Sequence, residues 1–278
     1  MPIRHDLFFS RRWRGVIAVA LLGALGVAAM PPPLDAYAAS PSQDGQTLES
    51  NADTPALDPV EEMPDLREYV AGPERKAAFF ELLVPLVEAE NAKIQAQRDW
   101  LLEVRERQEA LSDAEKAHLQ RLCTDYEIEC GTPNTFEYLL SRVDTVPLEL
   151  VAIQAVEESG WGTSRFARQG NNLFGLRCFS DGCGLAQEGS QRRYQQFASV
   201  QESIEHYLHN LNTHQAYLAL RQKRAALTAN GEPVTAKSLI HTLDNYSVSD
   251  DYFDILLALL RTNGDLIRQH RDDDDSPA

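Results

Sequence analysis

Two neighbouring carboxylates, Glu157 and Glu158, stand at the head of a Ser159-Gly160-Trp161-Gly162 string. Behind them runs an apolar helical pattern from Ala152 to Val156. Ahead lies a second turn-forming run, Asn171-Asn172-Leu173-Phe174-Gly175. This layout hangs an acid on a helix end, beside an aromatic side chain and close backbone. An acid so placed can protonate an oxygen leaving a glycosidic carbon. The carboxyl must then stay protonated near neutral pH, which an apolar, partly dry setting achieves by raising its pKa. Helix geometry does not separate the two. Glu158 shares a face with Val151 and Ala155, and Glu157 shares one with Leu150 and Ile153. The plain alternative is a pair of surface carboxylates, although the helix dipole disfavours negative charge at a C-terminus.

Other chemistries have weaker signals. His206 and His209 are three apart with Glu205 adjacent, but there is no His-Glu-x-x-His string and no well-placed third ligand, so no metal is expected. No Gly-x-Ser-x-Gly elbow occurs, and no cofactor is implied. The four cysteines form two close pairs, Cys123 with Cys130 and Cys178 with Cys183. That spacing fits a zinc knuckle poorly and, in an exported chain, reads as two short disulfides.

The elements that must carry these groups are mostly helices. Phe79, Phe80, Leu82, Leu83 and Leu86 recur at helical spacing across 75–86, where Pro85 marks a kink or break. A long charged helix follows over 89–109. Ser112 with Glu115 makes a capping box for a helix through Leu122. Further helices are expected at 135–141, from Pro147 to Gly160, from Ser199 toward His214, and over 215–228, 235–244 and 250–262. Residues 176–200 lose the periodicity. Gly182, Gly184, Gly189 and the second cysteine pair predict a loop or small hairpin there.

The ends read differently. Residues 1–38 have a basic start, a short apolar run and Ala36-Tyr37-Ala38, the pattern of a cleaved secretory signal peptide. An uncleaved anchor is the rival, but the run is shorter than the roughly 20 residues a bilayer needs. Residues 39–69 are expected to be a disordered leader, 70–270 one catalytic domain, and 271–278 an acidic disordered tail. The formal charge is -16. Removing residues 1–38 takes away four Arg and two Asp and leaves -18. Such a chain has no long-range attraction for nucleic acid or an anionic membrane. The expected product is a periplasmic or secreted monomer.

The Glu158-Ser159-Gly160-Trp161-Gly162 string resembles the signature of the bacterial glucosaminidase domain, glycoside hydrolase family 73. Asn172-Leu173-Phe174-Gly175, Arg193-Tyr194-Gln195-Gln196-Phe197 leading into Glu202, Ser203 and Tyr207, and Asn245-Tyr246-Ser247 followed by Tyr252 are similar to its later blocks, in order and spacing. Val143 to Pro147, the Cys178–Cys183 loop, and His209 to His214 resemble the Bax-type subgroup. The likeness covers about residues 74–262. It implies a lysozyme-like α lobe carrying the glutamate, with a small extended lobe across the cleft. It also implies cleavage of peptidoglycan glycan strands at the GlcNAc-β-1,4-MurNAc bond, with Glu158 as general acid. Muramidase or lytic transglycosylase action, or a wall-binding module without turnover, are the alternatives. In the small lobe, Glu188 or Asp181 could supply a second carboxylate; Glu188 is the one chosen. The substrate's own acetamido group would remove the need for either. Tyr246 is placed with the catalytic groups, to bind the N-acetyl group or orient Glu158. Asn172, Phe174 and Trp161 are assigned to substrate binding, each with a structural alternative as turn-holder or core.

Overall fold

The computed structural model describes residues 62–244, 246 and 251–274. The expected signal peptide, most of the leader, Asn245, Ser247 and residues 275–278 lie outside the described residues.

A long helix, α1 (Pro73–Arg105), forms one wall. It runs through Pro85 without ending. The Pro85 ring removes one backbone donor, and the neighbouring Phe79, Phe80, Leu83, Val84, Leu86 and Val87 are buried and hold both halves in place. Helices α2 (Asp113–Asp125) and α3 (Thr135–Arg142) follow. The capping box opens α2: Ser112 Oγ accepts from Glu115 N, and Glu115 Oε2 accepts from Ser112 N at 2.8 Å. The Cys123–Cys130 disulfide closes the far end of that helix.

Helix α4 (Leu148–Ser159) is central, packed between α1 and a C-terminal helix, α9 (Tyr252–Asp274). Nine of its twelve residues are buried, which is why its sequence is apolar nearly all round. Pro147 stands at its N-cap and Gly160 caps its C-terminus in the left-handed conformation. Between α4 and α9 come α5 (Arg165–Gly170), α6 (Val200–Thr213), α7 (Leu218–Ala229) and a short α8 (Ala236–Leu239). Arg224 of α7, nearly fully buried, donates to the Asp144 and Thr145 carbonyls at 3.0 Å and pairs with the Asp144 carboxylate at 3.2 Å. This fixes the loop that leads into α4.

The aperiodic insert is a small antiparallel sheet of β1 (Arg177–Cys178), β2 (Leu185–Ala186) and β3 (Arg193–Tyr194), with β3 in the middle. Tyr194 faces both Arg177 and Leu185 across the sheet. The Cys178–Cys183 disulfide closes the β1–β2 loop. Arg193 ties that loop down by donating to the Cys183 and Gly184 carbonyls. The mostly helical reading with a small extended lobe therefore holds. Among the described residues no helix is long and apolar enough to cross a membrane.

Two boundaries differ from expectation. The folded body begins before residue 70: Met63 and Leu66, two apolar residues in a polar stretch, are buried in the core. At the other end α9 continues to Asp274, well beyond residue 262.

Candidate active site

The Ser-Gly-Trp-Gly string is a chain reversal that leaves Glu158 on the last turn of α4. Ser159 is fully buried; its hydroxyl donates to Ala155 O at 2.5 Å and accepts from Gly162 N at 2.8 Å. Gly160, Trp161 and Gly162 all have positive φ, at 57°, 59° and 70°. Left-handed backbone costs a side-chain-bearing residue about 1–2 kcal/mol. Trp161 offsets this by packing edge-on against Phe79 and Phe80 at 5.7 and 5.5 Å, with Lys76 Nζ 5.1 Å from the ring. Gly162 suits its own left-handed φ of 70°, and a Cβ there would also lie 2.2 Å from Met63 Cε and displace that side chain.

Glu158 is half-buried and Glu157, beside it, is exposed. Burial pushes the Glu158 carboxyl up to about 7; a hydrogen bond from Tyr252 works against this, and the Glu157 charge adds to it. The Tyr252 hydroxyl donates to Glu158 Oε1 at 3.0 Å. Gln154, one turn back on α4 and fully buried, donates its Nε2 to the Tyr252 oxygen at 3.0 Å. Tyr207 of α6 in turn donates to Gln154 Oε1. The other carboxylate oxygen, Oε2, faces Gly175, where a Cβ would approach it to 3.4 Å.

Tyr246 does not touch Glu158 through its hydroxyl, which donates to Phe174 O at 2.8 Å. Its ring stacks on Tyr252 with centroids 5.9 Å apart, so it supports the phenol that does. Burial drives the hydroxyl pKa values of Tyr207, Tyr217, Tyr246 and Tyr252 upward, so all four stay neutral.

The remaining sequence candidates spread outward. Phe174 is buried and stacked on Tyr207, ring centroids 3.9 Å apart. Asn172 is buried and spends its amide on backbone: Nδ2 donates to Leu176 O and Gln195 O at 2.8 and 2.9 Å, and Oδ1 accepts from Leu176 N at 3.0 Å. It thus fastens the turn bearing Gly175 to the base of the small sheet. Glu188 and Asp181 are exposed on turns of that lobe. Among the described residues, neither is hydrogen-bonded to the Glu158 cluster. The residues missed from sequence are Tyr252 and Gln154. Tyr252 was visible only as part of a resemblance, and Gln154 only as a polar residue in an apolar helix. Among the described residues no group of three or more His, Cys, Asp or Glu could hold a metal ion.

A partly dry carboxyl raised to about 7 and held by a neutral phenol meets the physical requirements of a general acid. A family model described as mannosyl-glycoprotein endo-beta-N-acetylglucosaminidase matches residues 134–264, which contain Glu158 and every group bonded to it. The chain belongs to this glucosaminidase family. It is 41% identical over 213 residues to Protein bax of Escherichia coli (strain K12), a match covering 75% of this chain and 77% of that protein. A solved structure, the catalytic domain of the autolysin Auto from Listeria monocytogenes, is 17% identical with a TM-score of 0.40, covering 74% of this chain and 92% of that one.

Proposed function

We propose that this protein is an exported peptidoglycan hydrolase that cleaves glycan strands after N-acetylglucosamine, at the β-1,4 bond to N-acetylmuramic acid. Glu158 is its general acid. The observation that carries the reading is the Glu158 carboxyl itself, raised to about 7 by burial and anchored by Tyr252. Its proton passes to the glycosidic oxygen as the bond from that oxygen to the anomeric carbon breaks. The oxygen keeps the bonding electron pair and departs as an alcohol. Glu158 is left as a carboxylate, and the Tyr252 hydrogen bond is stronger to that anion than to the acid. The interaction therefore grows toward the transition state, which is what accelerates a step. Two disulfides suit an oxidising, extracytoplasmic destination; the signal peptide would direct the chain there, and cleavage after Ala38 would release it.

The second group is best supplied by the substrate. Glu157, on the same helix, is the carboxylate whose charge acts on Glu158. Glu188, the base expected from sequence, stands exposed on the β2–β3 turn with no hydrogen bond to the Glu158 cluster among the described residues. Assistance by the sugar's acetamido group needs no second carboxylate. Glu188→Gln separates the two routes: retained turnover supports assistance, and lost turnover with glycan binding intact supports Glu188 as the base.

The deciding assay is digestion of purified glycan strands with product-end analysis. Reducing N-acetylglucosamine ends support the proposal. Reducing or anhydro muramic ends would replace it with muramidase or lytic transglycosylase action, and no product would leave a binding module. Glu158→Gln should lower turnover about 100-fold or more, the usual worth of general acid catalysis. Glu157→Gln should cost far less.

A further inference from the structure

We propose that Gln154 and Tyr207 are positioning residues that set the direction of the Tyr252 hydroxyl proton, and through it commit Glu158 Oε1 as an acceptor so that the transferable proton sits on Oε2. The proposal rests on the reading of Glu158 as the general acid. Its basis is a one-way chain of donors. Tyr207 donates to Gln154 Oε1, Gln154 Nε2 donates to the Tyr252 oxygen, and Tyr252 donates to Glu158 Oε1. Tyr207 and Gln154 are completely buried.

A phenol has one proton to give. If the Gln154 amide were turned over, its oxygen would face Tyr252 and attract that proton. Glu158 could then keep its bond to Tyr252 only by donating from Oε1, which would aim the acid's proton into the protein. Tyr207 prevents the turn, because its buried hydroxyl proton needs the Gln154 oxygen as acceptor. With the amide fixed, the Tyr252 proton goes to Oε1 in both ionisation states of Glu158. The acid proton is left on Oε2, which faces the side-chain-free Gly175. The absence of a side chain at Gly175 keeps the approach to that oxygen open.

Tyr207 reaches Glu158 only through two intermediates, so deleting its hydroxyl is the sharpest perturbation. The ionisable groups acting with Glu158 are Glu157 on its own helix, Tyr207 on α6, Tyr217, Tyr246, and Tyr252 at the start of α9. Tyr207→Phe alters none of the charges among them.

The experiment is a ¹³C NMR titration of the Glu158 side-chain carboxyl in the full chain, its resonance assigned by loss in Glu158→Gln, with kcat and KM on glycan measured against pH. Tyr252→Phe should move the Glu158 titration upward by roughly one pH unit, since a hydrogen bond to the charged form is lost. Tyr207→Phe should move it the same way by a smaller amount and lower kcat with KM unchanged. The double variant should match Tyr252→Phe alone. Gln154→Met, apolar and of similar length, should repeat the Tyr207→Phe shift and guards against a folding defect in either. A Glu158 titration left in place by Tyr207→Phe and Gln154→Met, or single shifts that add in the double variant, overturns the relay. Full turnover in Glu158→Gln would instead sink the general-acid reading, and the titration would still report on the relay.

Discussion

Glu158→Gln should stabilise this protein in a pH-dependent way. In the folded chain the carboxyl is raised from its ordinary 4.5 to about 7, chiefly by burial. The folded state thus prefers the neutral acid, and the unfolded chain releases the proton more readily. The stability associated with the neutral form is fully present below pH 4.5, declines as pH rises toward 7, and is lost above it. At about 1.36 kcal/mol per pH unit the full gap is worth about 3 kcal/mol, and solvent screening of a partly exposed group trims this to roughly 2 kcal/mol. Glutamine is neutral throughout and has no such loss. Any fixed cost of the amide, such as an unpaired NH₂ beside Gly175, is the same at every pH. The difference in melting temperature between variant and wild type should therefore grow in the variant's favour between pH 4.5 and 8. For a domain of this size the growth should be roughly 4–8 °C. Paired scanning calorimetry across that range measures it, and groups shared by both proteins cancel. A flat difference, or one that grows in the wild type's favour, would refute the claim that burial holds Glu158 protonated. The same ionisation should set the alkaline limb of the pH–rate profile near 7.

Two further outcomes are expected. Removing the small-lobe disulfide by Cys178→Ser with Cys183→Ser should cost only about 2 kcal/mol by the chain-entropy model, yet lower glycan turnover by more than that suggests if the loop that Arg193 ties down contacts the glycan; calorimetry and turnover measured side by side check this. Gly175→Ala should lose about 1 kcal/mol to its left-handed backbone and at least tenfold in kcat, since the new methyl sits against Oε2; equal losses in stability and turnover would argue against an open approach there.

What the sequence revealed follows from how local each signal is. The limits of α4 were legible because Pro147 and Gly160 act on their own backbone. The capping box of α2 and the close cysteine pairs were legible for the same reason. Glu158 and Glu157 could not be told apart, because the face of α4 that is wet depends on α9 and the Gly175 turn, which come later in the chain. Tyr246 was expected to bind the N-acetyl group or orient Glu158, and it is the Tyr252 hydroxyl that meets the carboxylate. Both rings belong to one cluster of tyrosines drawn from separate segments, and nothing local says which hydroxyl ends on the carboxylate. Met63 and Leu66 were read as leader because two apolar residues in a polar stretch carry no period. Their burial is dictated from the other side, by the gap over Gly162 that Met63 fills.

If Glu158 is the acid, as proposed, the other residues of the motif are held in structural contacts. Ser159 spends its hydroxyl on Ala155 and Gly162; Asn172 spends its amide on the backbone of Leu176 and Gln195; Trp161 spends its ring on α1. None of these interactions compensates the Glu158 charge. A carboxylate at a helix C-terminus is already disfavoured by the dipole, and here it is also drawn into a half-buried setting with one phenol as partner. A cation in contact would have stabilised the anion and destroyed the acid. Among the described residues, the groups acting on the Glu158 carboxyl are the Tyr252 phenol and the Glu157 carboxylate, and neither is a cation. The fold leaves this one carboxyl undercompensated and secures its surroundings with bonds that do not involve it. Each position of the string answers a backbone or packing demand, and together they set the surroundings in which the Glu158 carboxyl is raised to about 7.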